Sequence, residues 1–359
     1  SVVKEDAAGV ANKVAEKVRV AISQNSSFGS ISHHSTASIG VTVFRGHQAA
    51  IEDLIKQADL AMYKSKSSGR DTVHFFDPTM EITLLKRMNL EADLRIAVKE
   101  EQFLLHYQAQ VNNEGQITGT EALVRWLHPE KGMISPADFI PLAEETGQIL
   151  AIGQWVLKTA CAQLAEWATR PEMAHLTISI NVSAKEFLQK GFIDQVLAVL
   201  NDTGANPEQL KLELTESLLV ENVEGIIETM LVLKTKGVRF SLDDFGTGYS
   251  SLSYLGRLPI EQLKIDLSFV RDILNDKNSA AIAKTILSLG KSLNMEVMAE
   301  GVETEPQREC LASLGCHHYQ GYLFSRPLPM EEFEEFVRAR EWINKNRPIS
   351  EVQEAMPDP

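Results

Sequence analysis

The strongest constraint on this chain is an alternation. Between residues 176 and 324, short strand-like runs recur among amphipathic stretches of helix length. The strand-like runs are Leu176–Ser183, Leu210–Ser217, Arg239–Phe245, Gln262–Phe269, Glu296–Val302 and His318–Phe324. IGQWVLKTACAQLAEWA, VEGIIETMLVLKTKG, SAAIAKTILSLGKSL and EPQRECLASLG carry the helical spacing. Parallel strands need long crossovers, usually helices, so the alternation predicts a parallel sheet. Upstream, Phe103–Val111 and Thr118–Trp126 flank the turn Asn112-Asn113-Glu114-Gly115, which predicts an antiparallel hairpin. With the hairpin the count is about eight strands, which suits an α/β chain closed into a (β/α)8 barrel. A doubly wound open sheet is the alternative.

Polar residues collect near the downstream ends of these runs: Glu121, Asn181, Glu213 with Glu216, Asp243 with Asp244, Lys264 with Asp266, Glu300 with Glu303, and Gln320. In a barrel, residues at one end of successive strands converge. Carboxylates flanked by Val, Ile and Leu would be buried charges, costly unless paired. Two of them about 4 Å apart repel by roughly 4 kcal/mol at an effective dielectric of 20. Glu121, Glu213, Asp243, Asp244 and Glu300 together therefore require cations, because one Lys and one Arg cannot neutralise them. Oxygen donors with one amide suit Mg2+ or Mn2+, whereas zinc prefers His and Cys. Any single strand-end acid is more simply a cap or a salt-bridge partner; the coincidence of five with Asn181 favours metal. His128 precedes Pro129 in loop-like text, and His317 and His318 point to opposite faces, so at most one of that pair could face the site. Gly246-Thr247-Gly248-Tyr249-Ser250-Ser251 follows the paired aspartates and reads as a mobile phosphate-side loop; alone it would mean only a sharp turn.

The totals limit the partners. Hydrophobic residues make up 44% and charged residues 23%, as in ordinary globular proteins. A net charge of -14 argues against a nucleic-acid polymer. It leaves room for an anionic small ligand, because a bound metal reverses the local sign. Cys161, Cys310 and Cys316 form no C-x-x-C pair and read as buried thiols of a reducing compartment. No apolar run approaches the ~18 residues of a membrane span, and no signal peptide opens the chain, so no membrane contact is expected of this segment. The text starts inside helix-like sequence, and further chain upstream is expected.

Residues 1–78 read as a small α/β piece. It has a helical stretch, AAGVANKVAEKVRVAISQ, a strand at Ser38–Phe44, the amphipathic IEDLIKQADLAMYKSKSSG stopped by Gly69, and a strand at Thr72–Phe76. Asp77-Pro78 marks a boundary, 79–100 a linker helix, 82–345 the barrel, and 346–359 a loose tail.

Glu121-Ala122-Leu123, Asn181-Val182-Ser183, Glu213-Leu214-Thr215-Glu216, Asp243-Asp244-Phe245-Gly246-Thr247-Gly248-Tyr249-Ser250-Ser251, Lys264-Ile265-Asp266, Ala299-Glu300-Gly301-Val302-Glu303 and Gln320-Gly321-Tyr322-Leu323-Phe324-Ser325-Arg326-Pro327-Leu328 occur in this order. Together they resemble the EAL family of bacterial cyclic di-GMP phosphodiesterases over roughly residues 82–342. The motifs are specific, and every acid that silent relatives tend to lack is present. Residues 1–78 resemble the second half of a GGDEF diguanylate cyclase domain through Ser38-Ile39-Gly40-Val41, Ala58-Asp59-Leu60-Ala61-Met62-Tyr63, and Lys66 with Gly69-Arg70. Lys66 and Arg70 match positions that contact nucleotide phosphates. The Gly-Gly-Asp/Glu-Glu-Phe loop is absent, so this piece is not expected to cyclise GTP, and the chain reads as a fragment of a tandem protein.

The resemblance implies a modified TIM barrel whose first strand is antiparallel. It implies hydrolysis of cyclic di-GMP to linear pGpG, with water activated between two ions of Mg2+ or Mn2+. Glu121, Asn181, Glu213 and Asp243 would hold one ion; Asp243 would bridge to a second held by Asp244 and Glu300. Lys264 would position or deprotonate the water, with Glu300 beside it, and Gln320 would order the site. Glu216 and residues 246–251 would couple substrate, metal and dimer contacts. Gln108, Leu123, Arg125, Asp266 and Glu303 would lie on the substrate side. Ala109, where the family often has Pro, and His317, where it often has Asp, are departures outside the ligand set. A homodimer through the barrel and a cytoplasmic location complete the expectation, any membrane attachment falling to an upstream region. The alternatives are a cyclic di-GMP receptor that does not cleave, and a purely structural dimerisation barrel.

Overall fold

The structure, a computed structural model, describes residues 7–24, 26–28, 31–33, 35–44, 50–216, 218, 223–248 and 252–345. The chain divides into two units, Ser1–Asp93 and Leu94–Pro359. In the first, helix Ala7–Ile22 precedes a short antiparallel pair, Ser26–Phe28 with Ile31–His33. Ile39–Val41 and Val73–Phe75 then pair in parallel, with helix Ile51–Ser67 as the crossover. Gly40 permits this packing: a Cβ there would stand 2.0 Å from the Ala58 carbonyl oxygen. Both strands are shorter than the sequence predicts.

The second unit is an eight-stranded closed barrel. Its strands are β1 (Phe103–Asn112), β2 (Ile117–His128), β3 (Thr177–Asn181), β4 (Leu210–Thr215), β5 (Arg239–Phe245), β6 (Gln262–Ile265), β7 (Glu296–Ala299) and β8 (His318–Gln320). Neighbours from β2 round to β8 are parallel, and β1 closes the ring antiparallel to both β2 and β8. The open doubly wound sheet is thereby excluded. A short strand, Gly132–Ile134, extends the sheet antiparallel to the end of β2.

Alternation along each strand explains the barrel. Outward positions such as Ile178, Leu212, Phe240, Leu263 and Val297 are buried. The intervening residues line the interior, and Ser179, Lys211, Ser241, Gln262 and Lys264 among them are polar. Apolar rings close the other side of the hairpin: Trp126 packs edge-on to Phe139 at 5.6 Å, and Tyr107 lies 5.9 Å from Phe333 of the last helix, Met330–Lys345.

Several strands end sooner than predicted. The run Gln262–Phe269 stops at Ile265, because the Asp266 side chain accepts from the Ser268 amide at 3.0 Å and starts the helix Leu267–Asp272. The run His318–Phe324 stops where Gly321 passes so close to Val302 that a Cβ would meet its carbonyl oxygen at 2.2 Å. His128 lies in β2, not in a loop, and is buried with its Nδ1 accepting the Glu130 and Lys131 amides at 3.1 and 3.2 Å. Cys161 and Cys316 are buried and Cys310 is half-buried, so the third thiol departs from the prediction. Ser217, Tyr249-Ser250-Ser251 and the tail 346–359 lie outside the described residues.

Candidate active site

Barrel register delivers acids from β2, β4, β5 and the end of β7 to one place. Lys264, from β6, is fully buried among them. Its Nζ lies 2.6 Å from Glu213, 2.5 Å from Glu300, and 3.4 Å from both Glu121 and Asp243. Glu121 Oε1 accepts from Asn181 Nδ2 and Glu121 Oε2 from Gln320 Nε2, each at 2.5 Å. Asn181 itself is exposed at the barrel mouth.

Asp243 and Asp244 pose a local problem. Consecutive strand residues point to opposite faces. Here the pairing of β5 with β6 shifts register between Leu242 and Phe245, and Asp244 takes a positive φ of 53°. An irregularity of this kind re-aims a side chain, and Asp tolerates the left-handed conformation better than most residues. Both carboxylates therefore reach the site. Two groups result: Glu121, Glu213 and Asp243, and Asp243, Asp244 and Glu300, each with carboxylate oxygens within 4.8 Å of one another. Asp243 belongs to both.

The electrostatics show a shortage of positive charge. Burial pushes the Glu213 carboxyl up to about 7 and the Glu300 carboxyl well above its ordinary range. Burial, then Asp243 and Asp266, push Asp244 up to about 6. Burial acts the same way on Glu121, but Lys264 and the bonds from Gln320 and Asn181 outweigh it and hold that carboxyl low. Burial opposes the Lys264 ammonium, yet the surrounding carboxylates raise it well above its ordinary value.

Metal ions fit this donor set. Five carboxylates and one ammonium leave four negative charges, which two divalent cations balance. Glu213 Oε1 is buried without a partner, as a ligand oxygen aimed at an ion would be. The donors are all oxygen.

The remaining predicted residues divide. Glu216 is buried, and its Oε2 accepts from the amides of Gly246 at 3.1 Å and Gly248 at 3.3 Å, tying the loop after β5 to the site. Leu123 and Arg125 line a cavity of about 410 Å3 with Pro136, Ile140 and Ile152. Gln108 is not presented to that cavity: Nε2 donates to the Ser325 carbonyl at 3.1 Å, and Oε1 accepts from Gln320 at 3.2 Å. Asp266 caps a helix beside Asp244, and Glu303 is exposed at the start of the next loop.

Residues matching the EAL domain run from 91 to 327. The chain belongs to the EAL domain family. Residues 2–72 match the diguanylate cyclase, GGDEF domain. Over 320 residues, 89% of this chain, it is 42% identical to the bifunctional diguanylate cyclase/cyclic di-GMP phosphodiesterase MucR of Pseudomonas aeruginosa, of which that stretch covers 47%. It is 39% identical to the cyclic di-GMP phosphodiesterase NbdA of the same species, over 85% of this chain and 39% of NbdA. The chain thus spans less than half the length of either relative. Among solved structures, the MucR phosphodiesterase in complex with c-di-GMP superposes with a TM-score of 0.67 at 44% identity, covering 68% of this chain and 99% of that one. The EAL domain of Mycobacterium smegmatis DcpA gives 0.56 at 32% identity, covering 66% and 96%.

Three residues of this EAL barrel were given no role from the sequence. Gln110 donates to Gln320 Oε1 at 3.0 Å, and period-two spacing from Gln108 was the available signal. Ser325 accepts from the Ala109 amide at 3.1 Å; it lies in the motif that begins at Gln320, but nothing local ties it to a residue some two hundred positions upstream. Glu186 closes a capping box on Ser183, two residues beyond Asn181; the S-x-x-E pattern was legible there.

Proposed function

We propose that the barrel hydrolyses cyclic di-GMP to linear pGpG with the aid of two divalent metal ions, Mg2+ or Mn2+. The observation that carries this reading is Asp243, shared by two acid groups around a lysine. Glu121, Asn181, Glu213 and Asp243 would hold one ion; Asp243, Asp244 and Glu300 the other. When bound, such ions supply Lewis acidity toward water and the phosphoryl oxygens.

The chain's own residues do the rest. Lys264 stays protonated and keeps Glu213 and Glu300 in place by donating to both. Gln320 and Asn181 clamp the two oxygens of Glu121, which fixes the carboxylate's orientation. Glu216 holds the backbone of Gly246 and Gly248, which follow the paired aspartates. Arg125 is oriented by its own bond to the Val124 carbonyl at 2.9 Å and offers a fixed fork for phosphate. The largely apolar cavity beside Leu123 takes a purine face.

Incubating the protein with cyclic di-GMP and Mn2+, and following products by mass spectrometry, tests the proposal. pGpG is expected, and chelation by EDTA should stop its formation. Tight binding without product would favour the receptor; neither binding nor metal uptake would favour the structural barrel. We further infer a homodimer through the barrel, to be read by analytical ultracentrifugation, and a cytoplasmic site of action. Among the described residues no helix is long and apolar enough to cross a membrane.

A further inference from the structure

Beneath the carboxylates the barrel interior holds a second polar layer. Strand residues two apart share a face, so Ser179 lies below Asn181, Lys211 below Glu213, Ser241 below Asp243 and Gln262 below Lys264. Register places Ser179 opposite Lys211 and Glu121, and Ser241 opposite Gln262 and Glu213, so each serine has one neighbour in this layer and one among the carboxylates. Barrels of this type usually fill such layers with branched apolar side chains. Here all four residues are buried, the two serines completely.

The layer is only partly bonded within itself. Lys211 Nζ donates to Gln262 Oε1 at 3.0 Å, and Gln262 Nε2 reaches Glu296 Oε2 at 3.4 Å. The hydroxyls of Ser179 and Ser241 have no partner. Unpartnered buried hydroxyls are costly, and an ammonium has three donors to place. One such hydroxyl opposite Lys211 and another opposite Gln262, the amide that Lys211 bonds, point to a ligand that both donates and accepts.

We propose that this layer binds ordered water beneath the metal centre, held by Ser179, Ser241 and Lys211, and that these residues position Glu213 from below. Water suits the site better than an ion. Glu213 and its neighbours above disfavour an anion, and the Lys211 ammonium disfavours a cation. A polar site of this kind gives a buried water its usual two to four partners. The positioning role rests on the metal-binding reading above. Groups behind a metal ligand typically alter metal affinity by roughly 10–100-fold when removed.

A high-resolution crystal structure of the Mn2+-loaded protein reads the water directly, and calorimetric titration with Mn2+ reads its consequence. Density within hydrogen-bond distance of Ser179 Oγ, Ser241 Oγ and Lys211 Nζ is expected. The double variant Ser179→Ala/Ser241→Ala, shown to be folded by circular dichroism, should lose that density and bind Mn2+ about tenfold more weakly. The proposal is overturned by a dry layer with both hydroxyls turned onto backbone carbonyls, or by unchanged Mn2+ affinity in the double variant. If the double variant does not fold, the wild-type density decides alone. A wild type that takes up no Mn2+ overturns the metal reading and the positioning role with it. A dry layer in a protein that binds Mn2+ normally overturns this proposal only.

Discussion

At the scale of single residues, Glu121 carries the most consequence. It is buried, and each of its oxygens is held by an amide donor. Replacing it by Ala removes a proposed metal ligand while leaving Lys264 paired to Glu213 and Glu300. Turnover of cyclic di-GMP by Glu121→Ala should fall at least about a thousandfold, or roughly 4 kcal/mol in the barrier. Initial rates of pGpG formation in Mn2+ buffer check this, and near wild-type rates would sink the assignment. Glu186 gives a different test. Burial pushes its carboxyl up to about 7, against the bonds from Ser183. A carboxyl raised above its unfolded value stabilises most when protonated, so stability is lost as pH rises from about 4.5 through about 7. Glu186→Gln keeps the capping box but cannot ionise. With Mn2+ saturating, wild-type protein should lose roughly 2–3 kcal/mol between pH 5 and pH 8 in urea titrations, and the Gln variant should lose clearly less. Equal slopes would rule out Glu186 as the source. Glu121 could be read from the sequence because its Glu-Ala-Leu motif is local, although it sits within β2 and not at its end. The raised Glu186 carboxyl could not, since its burial depends on a helix more than thirty residues away, where a Cβ on Gly153 would stand 1.4 Å from Glu186 Oε1.

At the scale of elements, the alternation foretold the barrel's strands and their parallel order, and the Asn/Gly turn foretold the antiparallel β1. Where the strands stop was not legible. Gly321 and Asp266 end theirs through a close backbone approach and a cap, features set by the assembled neighbours rather than by local propensity. The bend that brings Asp244 beside Asp243 was equally hidden, because two adjacent acids in a strand-like run give no sign of a register shift. The helix Ile149–Trp167 offers a test of such packing. On helix propensity alone, Gly153→Ala would stabilise by about 1 kcal/mol. Yet the added Cβ displaces a carboxylate that caps Ser183, so a net loss of about 1–3 kcal/mol is expected. Combining it with Glu186→Ala should relieve most of the clash, a coupling that urea titrations of the four proteins would read. Additive losses would mean that Glu186 moves aside freely.

At the scale of the whole molecule, the acid cluster makes the barrel's stability a function of pH and, on the proposed metal binding, of metal. Without metal, Glu213 titrates near 7 and Asp244 near 6, and burial holds Glu300 well above its ordinary range. All three lie above their unfolded values, so the native state holds more protons than the unfolded chain. Metal-free stability should therefore decline as pH rises from about 4.5 through about 7. Metal ions act in the opposite sense. They bind ionised carboxylates, so their affinity grows as those protons leave, and a ligand present at a hundred times its Kd adds about 2.7 kcal/mol. The difference in Tm between Mn2+ and EDTA should accordingly be small near pH 5 and large near pH 8. The two-unit division calls for a probe of one unit, and the sequence supplies it: Trp126, Trp155, Trp167 and Trp342 all fall within 94–359. Tryptophan fluorescence thus follows the barrel alone. A Mn2+ increment that stays constant across this pH range would mean that the buried acids do not change protonation when metal binds, and the charge shortage inferred around Lys264 would have to be given up.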